Sequence, residues 1–294
     1  MWLDGDSSGE HGPLPLRSAE VPAVDSLRAL LQRQLRELES SEAGVRDGAD
    51  PEDLHRFRVA TRRSRALIRA SRPLLRDQLA TLDRELRWLG GVSGPVRDLD
   101  VLIEHLRGLI EQLDPDQAGG EAIVAALERE RLRQRETLVA AIDTERYREL
   151  ISRFEEALPG LAAPEGDVSV TRLARKEFER LRSAYGELGD DPPDEELHSV
   201  RIRAKHARYA AELAARSEGQ PLSTLANAAR DLQDLIGAHQ DAVVAEQRVR
   251  ALAGEESRLA AGRIVELERA RKVQARAGLA AAWRNLQRAA AKAF

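Results

Sequence analysis

The chain has no cysteine among its 294 residues, so disulfides and thiolate metal sites are excluded. Aromatic residues make up only 3% of the sequence, which leaves few flat side chains on which nucleic-acid bases could stack. No apolar run approaches the roughly 18 to 20 residues that span a bilayer. The first twenty residues lack the basic start and apolar middle of a signal peptide. We therefore expect a disordered tail over 1–20 and a cytoplasmic protein without membrane contact.

A strong charge of one sign is missing as well. Charged residues form 33% of the chain, yet 46 basic residues face 50 acidic ones and the net charge is −4. A protein that coats polyanions through bulk positive charge is not indicated. Any anion site must come from basic residues segregated on one face. Only four of the basic residues are lysine, and the planar fork of arginine suits phosphate oxygens.

Alternating strand patterns are hard to find, while Ala, Leu, Arg and Glu dominate the composition. This combination predicts an all-α protein. Helices are predicted over 22–45, 50–72, 74–92, 120–158 with a possible break near residue 143, and 255–293. A helix break is predicted at Gly90, Gly91, Gly94 and Pro95, and a further helix is predicted to begin at Val96. Asp98 and its counterpart Asp241 are then interpreted as first-turn aspartates that favour the helix start and can hold a neighbouring guanidinium. A direct functional role is the alternative.

The most informative segment is 50–72, where basic side chains recur at helical spacing. Asp50 fits the N-cap, Pro51 the first helical position and Asp53 the third, so the helix start is well signalled. One stripe is basic and the neighbouring stripe is typical of a bundle core. The basic stripe consists of His55, Arg58, Arg62, Arg65 and Arg69, and the core stripe of Leu54, Phe57, Thr61, Ser64 and Ile68.

The same two stripes recur 143 residues later without a gap. The basic copy consists of His198, Arg201, Lys205 and Arg208, and the core copy of Leu197, Val200, Ala204, Ala207 and Ala211. We interpret the chain as one domain over 21–294, built from halves at 21–158 and 168–294 that a short linker over 159–167 joins. Two copies of one helical unit would pack as two antiparallel four-helix bundles about a pseudo-twofold axis, with a ligand channel at or beside it.

The segments LHRFRVATRRSRALI and RWLGGVSGPVRDLDVLI, with their weaker echoes LHSVRIRAKHARYAAEL and LQDLIGAHQDAVV, resemble the conserved-histidine α-helical domain, or CHAD, family. The resemblance covers nearly the whole chain from about residue 20. It implies a fold of two four-helix bundles and binding of inorganic polyphosphate along a basic groove or pore. Some members sit on polyphosphate granules, so granule association and contact with polyphosphate-metabolising enzymes are expectations. Many members carry a triphosphate-hydrolysing domain, which we do not expect here, because only about 20 residues precede the helices.

The resemblance implies a binding set that combines both basic stripes with residues on other helices. Its members are His55, Arg58, Arg62, Arg65, Arg69, His198, Arg201, Lys205, Arg208, Arg33, Lys176, Arg87, Arg230, Arg97, Arg107 and Arg250. Glu212 and Gln240 stand where the first half has Arg69 and Arg97, so the two halves cannot be equally basic. No cofactor or bound metal is expected. We find no nucleophile with its base, no phosphate-cradling glycine loop and no carboxylate dyad, so we expect a binding module and not an enzyme.

Three other interpretations remain open from the sequence. The histidines could be satisfied in or near the core, with the arginines solvated or paired to glutamates. The paired histidines could chelate a metal, although neither a His-Glu-x-x-His motif nor a cysteine is present. The stripe would also suit nucleic acid, but the scarcity of aromatic residues weakens that alternative.

Overall fold

The computed structural model describes residues 23–162 and 169–294. Within these ranges the chain is all helical, with ten helices and no strand. In chain order they are α1 (Ala23–Asp47), α2 (Pro51–Ala70), α3 (Arg72–Leu75), α4 (Ala80–Ile110), α5 (Gln117–Ile142), α6 (Glu145–Ala157), α7 (Val170–Gly186), α8 (Asp194–Glu218), α9 (Gln220–Leu252) and α10 (Arg258–Ala293). The expected N-terminal tail lies outside the described residues, as do residues 163–167 of the expected linker.

The predicted start of α2 and the two predicted core stripes agree with the structure. The helix predicted over 74–92 does not, because α3 ends at Leu75 and α4 begins at Ala80. The side chain of Asp50 accepts a hydrogen bond from the backbone N–H of Glu52, so it caps α2 as its position indicated. The predicted break near residue 143 separates α5 from α6. Every predicted core position of α2 and α8 is buried. Burial of these stripes fixes the rotation of both helices, and thereby the direction in which their basic stripes point.

The expected break at Gly90 to Pro95 is wrong, because α4 runs through this segment as one helix of 31 residues. Leu89 before the segment and Val96 after it are both buried, so packing on one continuous face outweighs the poor local helix propensity. The glycines also make room for a neighbour. The Arg58 guanidinium donates a hydrogen bond from Nη1 to the Gly90 carbonyl at 2.9 Å, and a Cβ on Gly94 would lie 3.2 Å from that nitrogen.

The capping interpretation of Asp98 and Asp241 is wrong for the same reason. Both aspartates lie in the interior of long helices, Asp98 in α4 and Asp241 in α9. Asp98 stands 3.7 Å from the Arg58 guanidinium, and Asp241 is fully buried. Neither carboxylate is placed at a helix N-terminus, so the helix dipole does not explain their positions.

The hydrophobic core does not divide along the two halves of the sequence. A large cluster contains buried residues from helices of both halves, including α1, α2, α7 and α8. A second cluster joins Leu99 to Leu127 of α4 and α5 with Ala245 to Val265 of α9 and α10. In each half, consecutive long helices pack against one another, and α2 also packs against α8 across the halves. The division into two bundles related by a pseudo-twofold axis stays a prediction.

In the part of the chain that the structure describes, no helix has an apolar stretch long enough to cross a bilayer.

Candidate functional site

The packing of α2 against α8 brings the two basic stripes together. Their meeting place, here called the α2–α8 seam, comprises Arg62, Arg65 and Arg69 of α2 with Arg201 and Lys205 of α8. Burial, together with the positive charges of Arg62, Arg201, Arg65 and Arg69, lowers the pKa of Lys205 to about 7. The seam is therefore a place where cations from both halves of the chain crowd around one half-buried ammonium group.

On the side of the seam formed by the first half of the chain, one carboxylate lies within ion-pair distance of three arginines. Asp83 of α4 lies 3.3 Å from Arg65 Nε, 3.4 Å from Arg69 Nε and 4.0 Å from Arg87 Nη2. Burial and the charge of Arg69 lower the pKa of Arg65, against the effect of Asp83. Arg87 is largely exposed. A single negative charge cannot neutralise three guanidinium groups, so this side keeps a positive excess.

On the second-half side, the corresponding arginines face more acidic surroundings. Arg208 is only 6% exposed and donates from Nε to Glu212 at 2.8 Å, and Arg230 Nη2 stands 3.8 Å from the same carboxylate. Burial raises the pKa of Asp234, although the charges of Arg208, Arg230 and Arg201 oppose the shift. Glu212 and Asp234 therefore offset much of the positive charge there. This agrees with the sequence, in which Glu212 stands at the position that Arg69 occupies in the first half.

Arg58 and Arg201, which occupy matching positions, have different surroundings. Arg58 is bonded to the Gly90 carbonyl and lies beside Asp98, so it holds α2 to α4. Arg201 is 6% exposed and its charge acts on both Lys205 and Asp234. The two matching histidines also differ, because His55 is half-buried and His198 is exposed.

The remaining predicted residues lie on other helices. Arg33 of α1 and Arg97 of α4 are half-buried, and Lys176 of α7 is exposed. The charge of Arg97 acts on Asp100, whose pKa is raised by burial.

Arg107 and Arg250 are placed away from the α2–α8 seam. Arg107 is paired with Glu128, and Arg250 donates to Glu246 at 2.9 Å. Both arginines occupy the last turn of a long helix, next to the second hydrophobic cluster. Among the described residues, none of α2 or α8 belongs to this cluster. Arg107 is seventeen positions beyond Gly90 in α4, or roughly 25 Å along the helix axis.

A cavity of about 520 Å³ opens between the end of α2, α3, the start of α4, and α7 and α8. Arg69 and Arg87 line it, and so do charged residues that the sequence analysis did not select. The charged and histidine side chains among those further residues are Arg72, Arg76, Asp77, Asp83, Arg84, Glu177, Arg180, Arg203 and His206. Because several separate segments contribute these residues, no periodic pattern in the sequence pointed to them.

His206 connects this cavity with the seam, since it follows Lys205 in α8 and lines the cavity wall. Burial, opposed by Glu177 and reinforced by Lys205 and Arg203, lowers the pKa of His206. Across residues 23–162 and 169–294, no group of three or more His, Asp or Glu side chains is arranged to hold a metal ion.

The CHAD domain family model matches residues 29–250, which is more than half of the chain. The chain therefore belongs to the CHAD domain family. Among solved structures, PptA from Streptomyces chartreusis is 21% identical with a TM-score of 0.71, covering 90% of this chain and 100% of PptA. The CHAD domain from the plant Ricinus communis is 24% identical with a TM-score of 0.62, covering 96% of each chain. These two likenesses establish the helical fold.

Two uncharacterized proteins of Mycobacterium tuberculosis, from strains CDC 1551 / Oshkosh and H37Rv, are each 28% identical over 304 residues. Both alignments cover 97% of this chain but only 58% of the relative. The chain thus spans little more than half the length of these curated relatives.

Proposed function

We propose that the α2–α8 seam binds inorganic polyphosphate and that the protein acts as a binding module and not as an enzyme. The observation that carries the proposal is the crowding of Arg62, Arg65, Arg69 and Arg201 around Lys205. Positive charges gathered at close range raise the local positive potential, which attracts counter-charges. A bound polyanion supplies such counter-charges, and resemblance to the CHAD family makes polyphosphate the expected one.

The chemistry of the seam suits this ligand. Polyphosphate offers only oxygen atoms and charge along its length, so arginines from two helices can bond successive phosphates. Each charge-assisted hydrogen bond contributes about 1.5–3 kcal/mol before screening. Base-stacking side chains are rare in the chain, which favours polyphosphate over nucleic acid. Granule association, a cytoplasmic location and contact with polyphosphate-metabolising enzymes belong to the same proposal.

The first test removes two charges from the seam. We expect Arg62→Gln with Lys205→Gln to weaken binding of long-chain polyphosphate by about 100-fold, because two charge-assisted contacts are lost. The slope of log affinity against log salt should also become shallower by roughly 1 to 2. The matched control is Arg148→Gln with Arg153→Gln, two exposed arginines of α6 that remove the same charge. Arg58 is left unchanged because it holds α4 through the Gly90 carbonyl.

The ligand is tested by competition at equal phosphate concentration and physiological salt. Long-chain polyphosphate should displace bound, labelled polyphosphate better than single-stranded DNA or ATP does. Equal or better competition by DNA would transfer the assignment to nucleic acid. Loss of binding on addition of EDTA would instead favour the metal-chelating alternative.

A further inference from the structure

The cavity beside the α2–α8 seam has more positive than negative charge in its wall. Among the described lining residues, seven arginines and His206 face three carboxylates, and each carboxylate is paired with an arginine. Asp83 serves Arg69 and Arg87, Asp77 lies 2.9 Å from Arg72, and Glu177 is bonded to Arg180. In the described part of the chain, Arg76 and Arg203 have no carboxylate partner. These two guanidinium groups are therefore available to a ligand.

Arg76 has a backbone conformation that arginine seldom adopts. Its φ and ψ are 54° and −126°. A residue with a Cβ is strained in this region, whereas glycine adopts it without steric cost. The residue 143 positions later is Gly219, with φ of 85° and ψ of −150°. The chain thus makes the same turn twice and uses glycine only once. Arg76 therefore combines a strained backbone with a side chain that lines the cavity, and strained residues often lie at functional sites.

The cavity adjoins the α2–α8 seam, because the two have Arg69 in common. Arg69 lines the cavity and is also one of the charges that lower the pKa of Lys205. His206 lines it from the residue next to Lys205. The opposite side of the seam differs, because Glu212 and Asp234 stand near Arg208 there. An anionic chain lying in the seam is therefore attracted toward the cavity at one side and repelled at the other.

We propose that the cavity receives the terminal phosphate of a polyphosphate chain, with Arg76 and Arg203 as its ligands, so that the protein recognises chain ends. This inference rests on the proposed function. An internal phosphate of the chain carries one negative charge, whereas a terminal phosphate approaches two near neutral pH, as phosphate monoesters do. Two arginines without carboxylate partners match that extra charge. Among the described residues, no Phe, Tyr or Trp side chain lines the cavity, so they offer no platform for a nucleotide base.

The test compares polyphosphate of one short length in two forms, with free ends and with both terminal phosphates converted to phosphoramidates. Capping removes the second terminal charge and leaves the internal phosphates unchanged. For the wild-type protein we expect capping to weaken binding by about tenfold, the loss of roughly one charge-assisted contact. In Arg76→Gln with Arg203→Gln, free and capped chains should bind equally. The control variant Arg148→Gln with Arg153→Gln should keep the full preference.

A further variant separates chain-end recognition from folding. Arg76→Gly removes the guanidinium and relieves the backbone, so this protein should unfold at the same temperature as wild type or higher. It should nevertheless lose part of the preference for free ends. A variant that is at least as stable as wild type and still loses the preference cannot be explained by misfolding.

The outcomes separate this inference from the proposed function. If wild type binds free and capped chains equally, chain-end recognition is wrong while polyphosphate binding stands. The same conclusion follows if the Arg76 and Arg203 variant weakens both forms equally and keeps the preference. If wild type binds neither form, the proposed function fails and the chain-end proposal fails with it.

Discussion

At the scale of single residues, Lys205 loses its proton easily because it is buried among four arginines. Because its pKa is about 7, the ammonium group is largely neutral at pH 8 and largely charged at pH 6. A bound polyanion favours the charged form and raises this pKa, so binding takes up a proton. We expect affinity for long-chain polyphosphate to increase by up to about tenfold as the pH falls from 8 to 6, measured by titration at constant ionic strength.

Lys205→Arg is the matched variant for this prediction, because arginine stays charged throughout that range. Its affinity should be nearly independent of pH and close to that of wild type at pH 6. Long chains are needed, since their internal phosphates do not titrate between pH 6 and 8. A variant that keeps the wild-type pH dependence would show that the proton binds to a group other than Lys205.

At the scale of the helices, Glu212 of α8 lowers the positive charge beside the proposed binding site. The carboxylate neutralises Arg208 at 2.8 Å and stands 3.8 Å from Arg230. Glu212→Gln keeps a hydrogen-bond acceptor and removes the negative charge. We expect polyphosphate affinity to rise by about 3- to 10-fold and the salt dependence to steepen by up to roughly one counterion.

The control for this gain of affinity is Glu149→Gln on α6, an exposed glutamate that is paired with Arg153. It changes the net charge equally and should alter affinity only slightly, because exposed pairs far from the ligand are screened. Equal gains in the two variants would indicate that net charge, and not the position of Glu212, controls binding.

Sequence periodicity could predict most of the helices, since burial on one face leaves a regular pattern. The sequence predicted Asp50 as the N-cap of α2 and predicted the buried stripes of α2 and α8. It failed at Pro95, where a local break signal is outweighed by apolar contacts that the rest of α4 makes with other helices. Tertiary packing of this kind cannot be read from a short window of sequence.

The candidate site could be predicted from the sequence only in part, and its role in binding stays a prediction. The repeated stripe identified Lys205 and its neighbours, because both copies have the same phase. The offset of 143 also matched Arg107 with Arg250. Matching positions need not lie at the same site, and both arginines lie in the last turns of α4 and α9, away from the α2–α8 seam. The cavity residues Arg76 and Arg203 were missed because spatial proximity alone relates them.

At the scale of the whole molecule, the two hydrophobic clusters share α4, α5, α9 and α10. We therefore expect damage to the smaller cluster to destabilise the entire chain in one transition. Leu106→Ala, at a fully buried position of that cluster, should cost about 2–5 kcal/mol of unfolding free energy. Urea unfolding followed by circular dichroism and by tryptophan fluorescence should give coincident curves.

Leu259→Ala is the matched control, because Leu259 is 73% exposed and the change should stay within about 0.5 kcal/mol. Two separate transitions in the Leu106 variant would show instead that the clusters unfold independently. Polyphosphate affinity of the folded Leu106 variant should equal that of wild type, since the α2–α8 seam contributes no residue to this cluster.

The composition of the second cluster also sets an order of events during synthesis. Leu99 and Leu127 leave the ribosome well before Ile264, which α10 contributes to the same cluster. Domains acquire their structure from the N-terminus as the chain emerges, so the far ends of α4 and α5 present an uncovered apolar surface until α10 is made. We therefore expect chaperones to bind this surface on the nascent chain until α10 covers it.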